Sequence, residues 1–173
     1  MIIIVACSDS PRAKVEKEST PAQPVTVPAA DIDSATRNVV SFLRGETPFE
    51  RIAVADSVIL QVTSEGGGAK ATLRRDQLRN PSSWMIPSGT TTYSLVPPPG
   101  LTLLSTRIGR HFNCLQFPLS SRVPELAHYP HVGVKLEPSP GGNCLQTWNS
   151  TFVFDSSARP PRLIAVVYDQ WEW

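Results

Sequence analysis

The sequence has few charged residues, little net charge and no long apolar run. Charged side chains make up 18% of the 173 residues, and the formal net charge is +1. A nucleic-acid-binding surface is clearly basic, and a membrane-spanning helix needs about 20 apolar residues. The longest fully apolar run near the start covers only residues 2–6. The composition therefore predicts neither a nucleic-acid partner nor a membrane-spanning helix.

Sequence motifs that carry chemistry are also missing. The triplet at residues 66–68 is Gly-Gly-Gly, without the Lys and Ser/Thr of a phosphate-binding loop. The chain has no Gly-x-Ser-x-Gly and no His-Glu-x-x-His segment. His111, His128 and His131 have no nearby cluster of acids or cysteines that would complete the three or four ligands of a zinc site. We therefore predict no metal and no cofactor, and we favour a non-catalytic domain over an enzyme.

Proline is the residue present in excess. The chain contains 17 prolines, where average usage gives about nine. Four of them fall in residues 8–30, a segment rich in Ala, Ser, Thr, Lys and Glu with almost no large apolar side chain. Such a segment cannot bury enough apolar surface to fold, and its prolines favour extended backbone. Residues 8–30 are therefore predicted to form a disordered tether.

The residues before this segment form an apolar-to-polar switch at a cysteine. Ile4, Val5 and Ala6 precede Cys7, and Ser8-Asp9-Ser10 follow it. This pattern resembles the lipobox of bacterial lipoproteins, with Ile4 in place of the commoner Leu. The resemblance implies that residues 1–7 are a residual signal and lipid-attachment segment, cleaved before Cys7, whose thiol carries diacylglycerol. It also implies a membrane partner through the lipid anchor and a location on the extracytoplasmic face of the cell envelope.

Residues 31–173 are predicted to form one domain that begins with a helix. Asp33 or Ser34 can cap the helix start, and Gly45 followed by Pro48 ends it. The apolar residues of this segment recur at helical spacing, which predicts one amphipathic helix of about three turns. They are Ile32, Val39, Val40, Phe42 and Leu43.

The remainder of the domain has strand patterns. Residues 52–62 and 69–73 flank the glycine triplet, which is typical of a hairpin. Residues 144–154 carry their large apolar side chains on one face, and residues 163–168 are continuously apolar, as in a strand buried on both faces. We predict that these last two strands pair antiparallel at the centre of a sheet and that the helix lies across them.

The predicted class is α+β, with the N-terminal helix packed on a curved, mostly antiparallel sheet. A small β-sandwich or an open barrel is the alternative. One helix followed by strands, the two longest last, is similar in element order to the cone-shaped nuclear-transport-factor-2-like and cystatin-like folds. No residue motif carries this resemblance, so it implies no functional residues.

Two cysteines remain when Cys7 is assigned to the lipid. Cys114 and Cys144 form an even pair in an oxidising compartment, which favours a structural disulfide. The rival is a nucleophilic Cys114 activated by His111, but residues three apart on a strand point to opposite faces.

Aromatic residues gather near the C-terminal hairpin. Trp148, Tyr168 and Trp171, together with Asp169, form a candidate pocket for an apolar small molecule or an envelope protein. The aromatic side chains could equally fill the core. We therefore predict a membrane-anchored binding or accessory domain. The alternative is an enzyme that uses an acid such as Asp169 inside a cone-shaped pocket.

Overall fold

The computed structural model describes residues 28–64, 67–88, 90–96, 104–108, 123–137 and 149–170. It begins with helix α1, Ala29–Leu43, whose first turn is closed by a hydrogen bond of 3.1 Å from the Asp31 amide to the Pro28 carbonyl. No side chain caps this end, so the prediction of Asp33 or Ser34 as the cap is wrong. Ala29 and Ala30 belong to the helix, which begins two residues before the predicted start at Asp31. Within the described ranges, no helix is both long enough and apolar enough to cross a membrane.

Gly45 ends α1, as the sequence predicts. Its φ of 74° lies in the left-handed region, and its amide donates to the Phe42 carbonyl at 2.8 Å. A residue with a Cβ is strained in that conformation, so glycine suits this position. The chain can then turn through Pro48 into the first strand.

Within the described residues, eight strands follow the helix, and they form a six-stranded sheet and a separate two-stranded one. The large sheet has the strand order β2-β1-β8-β7-β6-β5, and β3 pairs with β4. The α+β class is therefore confirmed, with an open sheet rather than a closed barrel. The strands are β1 Val54–Ser64, β2 Gly67–Arg74, β3 Met85–Ser88, β4 Thr91–Ser94, β5 Leu104–Ile108, β6 His131–Glu137, β7 Asn149–Asp155 and β8 Arg162–Gln170.

The C-terminal hairpin is the centre of the large sheet. Strands β7 and β8 pair antiparallel and occupy the two middle positions of the six, which confirms the prediction for these strands. On its other edge, β8 pairs with β1 in parallel. This is the one parallel pair among the described strands of that sheet, and the hydrophobic pattern did not indicate it.

One face of the sheet is covered by α1 and the two-stranded sheet. Val39, Phe42 and Leu43 of the helix share one buried cluster with residues of the central strands, so the predicted helix packing is confirmed. Phe42 meets the rings of Phe49 and Trp84 edge-on, at centroid distances of 5.4 and 6.0 Å. The strand residues of this cluster include Val58, Leu60, Val62, Phe152, Phe154 and Val166. We call this side of the sheet the helix face.

A β-bulge in β8 changes which residues reach the helix face. Val153 pairs with Ala165, but the next residue of β7, Phe154, pairs with Leu163, so Ile164 has no opposite residue. Ile164 and Ala165 consequently pack in one cluster on the far side of the sheet, whereas Leu163 packs with the helix. Without the bulge, simple alternation along β8 would place Leu163 on the same face as Ala165 and Val167.

Candidate functional site

The face of the sheet opposite the helix has a smaller apolar cluster and a buried polar group. Val153, Ala165 and Val167 pack there against Val123 and Leu126, which flank and lie within a 3₁₀ turn at Pro124–His128. We call this side of the sheet the open face only because it lies away from α1; its residues Val153, Ala165 and Val167 are fully buried.

Four polar side chains of the described large sheet are buried, Ser150 among them, and the other three lie on the open face. Lys135 of β6 is 3% exposed and lies opposite Thr151 of β7, and Asp169 of β8 is 1% exposed. Strand alternation places Thr151 with Val153, and Asp169 with Val167, on the open face. Buried charges are costly in a protein unless they are paired and hydrogen-bonded. A structural role for Asp169 and its use as an enzyme's acid both stay predictions.

Of the four candidate pocket residues, the structure describes Tyr168 and Asp169, and these two lie on opposite faces of β8. Tyr168 packs at the helix face, with its ring centroid 6.2 Å from that of Tyr93. Asp169 is the next residue of β8 and lies on the opposite face. Trp148 and Trp171 lie outside the described residues, as do Cys7, Cys114 and Cys144. The lipid attachment and the disulfide therefore stay predictions.

A groove runs along the open face beside the 3₁₀ turn and encloses about 440 Å³. Its apolar floor comes from β1 and β8, through Ala55, Ile59 and Ile164, and Leu126 adds to one wall. Tyr129 stands at the side and is 51% exposed, one of two large apolar side chains in the described residues with so much free surface. The remaining lining residues are polar: Asp56, Ser57, Thr72, Glu125, Asp155 and Arg162.

The charged residues around this groove are mostly acidic. Asp56, Glu125 and Asp155 face one arginine, Arg162. Asp155 is oriented by its own loop, because its Oδ1 accepts bonds from the amide and the hydroxyl of Ser157 at 2.8 and 2.6 Å. The groove therefore combines an apolar floor with an excess of negative charge at its edge.

A surface ion pair connects the two sides of the groove. The Nζ of Lys70, on β2, donates to the Oε1 of Glu125 in the 3₁₀ turn. This hydrogen bond holds the pKa of Glu125 below its usual value. Because the pKa of Glu125 is depressed, the ion pair stabilises the folded state at pH values above the ordinary glutamate pKa. This stabilisation is lost as the pH falls through the lowered pKa. Both side chains are more than one-third exposed, so the stabilisation is small.

The described lining of the groove has the features of a ligand-binding site. Within the described ranges, no group of three or more His, Cys, Asp or Glu side chains could hold a metal ion. The residues that line the groove include no cysteine and no histidine. Its concave shape, apolar floor and few charged groups are the features typical of a small-ligand site.

Sequence reasoning missed this groove because its residues come from five separate segments. Ile59 was visible only as one member of an apolar run, and Tyr129 only as a neighbour of two histidines. The strand order brings these segments together, since β1 and β8 are adjacent although about a hundred residues separate them in the chain. Comparison with protein-family models, with curated proteins and with solved structures gives no match for this chain.

Proposed function

We propose that this chain is a lipid-anchored, extracytoplasmic binding domain whose ligand or partner occupies the groove of the open face. The lipobox-like residues 4–7 and the proline-rich segment after them support the anchor. The groove carries the binding part of the proposal, because it offers an apolar floor beside an exposed tyrosine. The ligand is an apolar small molecule or an apolar side chain of an envelope protein.

The charge around the groove selects among apolar ligands. Three carboxylates against Arg162 and Lys70, the partner of Glu125, leave one net negative charge around the groove. A ligand with a terminal amine therefore gains electrostatic attraction, and one with a terminal carboxylate is repelled. We infer that the groove prefers an apolar body that carries a positive charge.

The prediction is tested by titrating the folded protein with hexylamine, hexanol and hexanoate, while amide shifts are followed by NMR. Hexylamine is expected to bind most tightly and hexanoate most weakly, with the shifts centred on Ile59, Tyr129 and Ile164. Replacing Tyr129 by alanine should weaken the binding of all three probes, because it removes an apolar wall without changing charge.

The charge effect needs its own pair of variants. Asp56→Asn is expected to weaken hexylamine binding about threefold to tenfold, which corresponds to about 0.7–1.4 kcal/mol, and to leave hexanol unchanged. Asp76→Asn is the matched control, because Asp76 is exposed, pairs with Arg74 and does not line the groove. Equal binding of the amine and the carboxylate, or shifts scattered over the surface, would contradict the proposal.

The anchor has a separate test. Protein isolated from its native membrane is expected to carry a diacylglycerol adduct at Cys7, detected by mass spectrometry of the N-terminal peptide. Cys7→Ser should release the protein from the membrane fraction while the groove still binds hexylamine. An unmodified Cys7 in membrane-isolated protein would refute lipid attachment and leave the groove proposal standing.

A further inference from the structure

A second concave site lies on the other side of the β1–β8 junction. It encloses about 470 Å³ between the N-terminal half of α1 and the turn that leads into β8. The hydrogen bond of 2.8 Å from the Leu163 amide to the Ala53 carbonyl lies between this site and the groove. Ala53 lines the second site and Ala55 lines the groove. We call the second site the arginine cleft.

Both walls of the arginine cleft are held in place by the core. The helix wall is fixed because Ile32, Thr36 and Val39 are buried on its inner side. The opposite wall includes two consecutive prolines, Pro160 and Pro161, whose rings restrict the backbone. The shape of the cleft is therefore present before any ligand binds.

Two guanidinium groups line the arginine cleft. Arg159 donates its Nη1 to the carbonyls of Ser156 and Ala158, at 3.2 and 3.1 Å, which orients the side chain along the turn. Arginine has five N–H donors in a planar fork, so the other donors of Arg159 can serve a ligand. Arg51 is the last residue of the 3₁₀ turn Phe49–Arg51 and lines the same cleft.

The cleft has a net positive charge. Among the described lining residues, the one acid is Asp31, in the first turn of α1. Within the described part of the chain, no ion pair joins Asp31 to either arginine. The neutral side chains of Ser34 and Asn38 offer further hydrogen bonds.

We propose that the arginine cleft binds the oxyanion group of a small organic acid, either a carboxylate or a phosphate. Guanidinium groups match these planar or tetrahedral anions with two parallel hydrogen bonds, which makes arginine the usual residue for such recognition. Ala35 and the two prolines supply apolar contact for the remainder of the ligand. This site is independent of the groove, which has the opposite charge.

The test uses two probes, inorganic phosphate and butyrate, with binding followed by NMR shifts of residues 31–38 and 158–162 in the full chain. Arg51→Gln and Arg159→Gln are each expected to raise the Kd for the preferred anion at least tenfold. Arg159→Lys, which keeps the charge and loses the fork, should give an intermediate loss. Asp31→Asn should tighten binding about twofold to fivefold, because it removes the one like charge in the cleft.

Arg37→Gln is the matched control, since Arg37 is exposed on α1 and does not line the cleft. It should change the Kd less than twofold, and thermal melts should show that every variant is folded.

Preference for butyrate identifies a carboxylate ligand, and preference for phosphate identifies a phosphate ester. The proposal is overturned if Arg37→Gln weakens binding as much as Arg51→Gln, if Asp31→Asn weakens it, or if neither anion gives saturable shifts. Hexylamine binding in the groove should be unchanged in all these variants, so the two proposals fail separately.

Discussion

A chain that stops at Pro161, and so lacks β8, is expected to show no cooperative unfolding transition. Strand β8 forms the ladders to both β1 and β7. Its removal separates the large sheet into the β2-β1 hairpin and the β7-β6-β5 meander, and it exposes the inner edge of each. Isolated hairpins are marginally stable in water, and open edges promote aggregation. Urea titration followed by far-UV circular dichroism checks the prediction.

The matched control removes the other end of the chain. A protein that starts at Pro28 retains α1 and every described strand, and it should unfold with the same urea midpoint as the full chain. If the chain without β8 still unfolds cooperatively, the hairpin is not the centre of the fold. If loss of residues 1–27 lowers the midpoint strongly, those residues belong to the domain and are not a tether.

Trp84→Ala is expected to be among the most damaging single substitutions. The indole is 0% exposed, lies edge-on to Phe42 at 6.0 Å, and donates from Nε1 to the buried Leu78 carbonyl at 3.0 Å. Truncation of a buried tryptophan costs about 3–5 kcal/mol. Urea unfolding of the variant, again followed by circular dichroism, should show this loss as a lower midpoint with an unchanged slope.

Two further variants separate packing from the hydrogen bond. Trp84→Phe keeps a ring but leaves the Leu78 carbonyl without its donor, which costs about 1–3 kcal/mol. Met85→Ala is the neighbouring control, because Met85 is 42% exposed and should change stability by less than about 0.5 kcal/mol. A Trp84→Ala variant as stable as Met85→Ala would mean that the two-stranded sheet is not part of the core.

The candidate site depends on tertiary structure, which explains why it was only partly predicted from the sequence. A groove needs residues from several segments, and the sequence shows each segment alone. Asp169 was correctly recognised as an acid on an apolar strand, and it is buried. Its pocket was not found, because Tyr168, assigned to the same pocket, lies on the other face of β8.

The sequence by itself determined the elements whose signals are local. Helical spacing of apolar residues marks α1, Gly45 and Pro48 end it, and the continuous apolar run at residues 163–168 identifies a strand buried on both faces. These signals are strong because the apolar pattern and the backbone preferences that produce them depend only on residues close together in the chain. Only the tertiary structure decided the parallel β1–β8 pairing, the bulge at Ile164 and the burial of Trp84. Side chains of a strand alternate between the two faces of the sheet, so one inserted residue moves the residues beyond it to the opposite face. No pattern within a single strand records which distant strand will lie beside it.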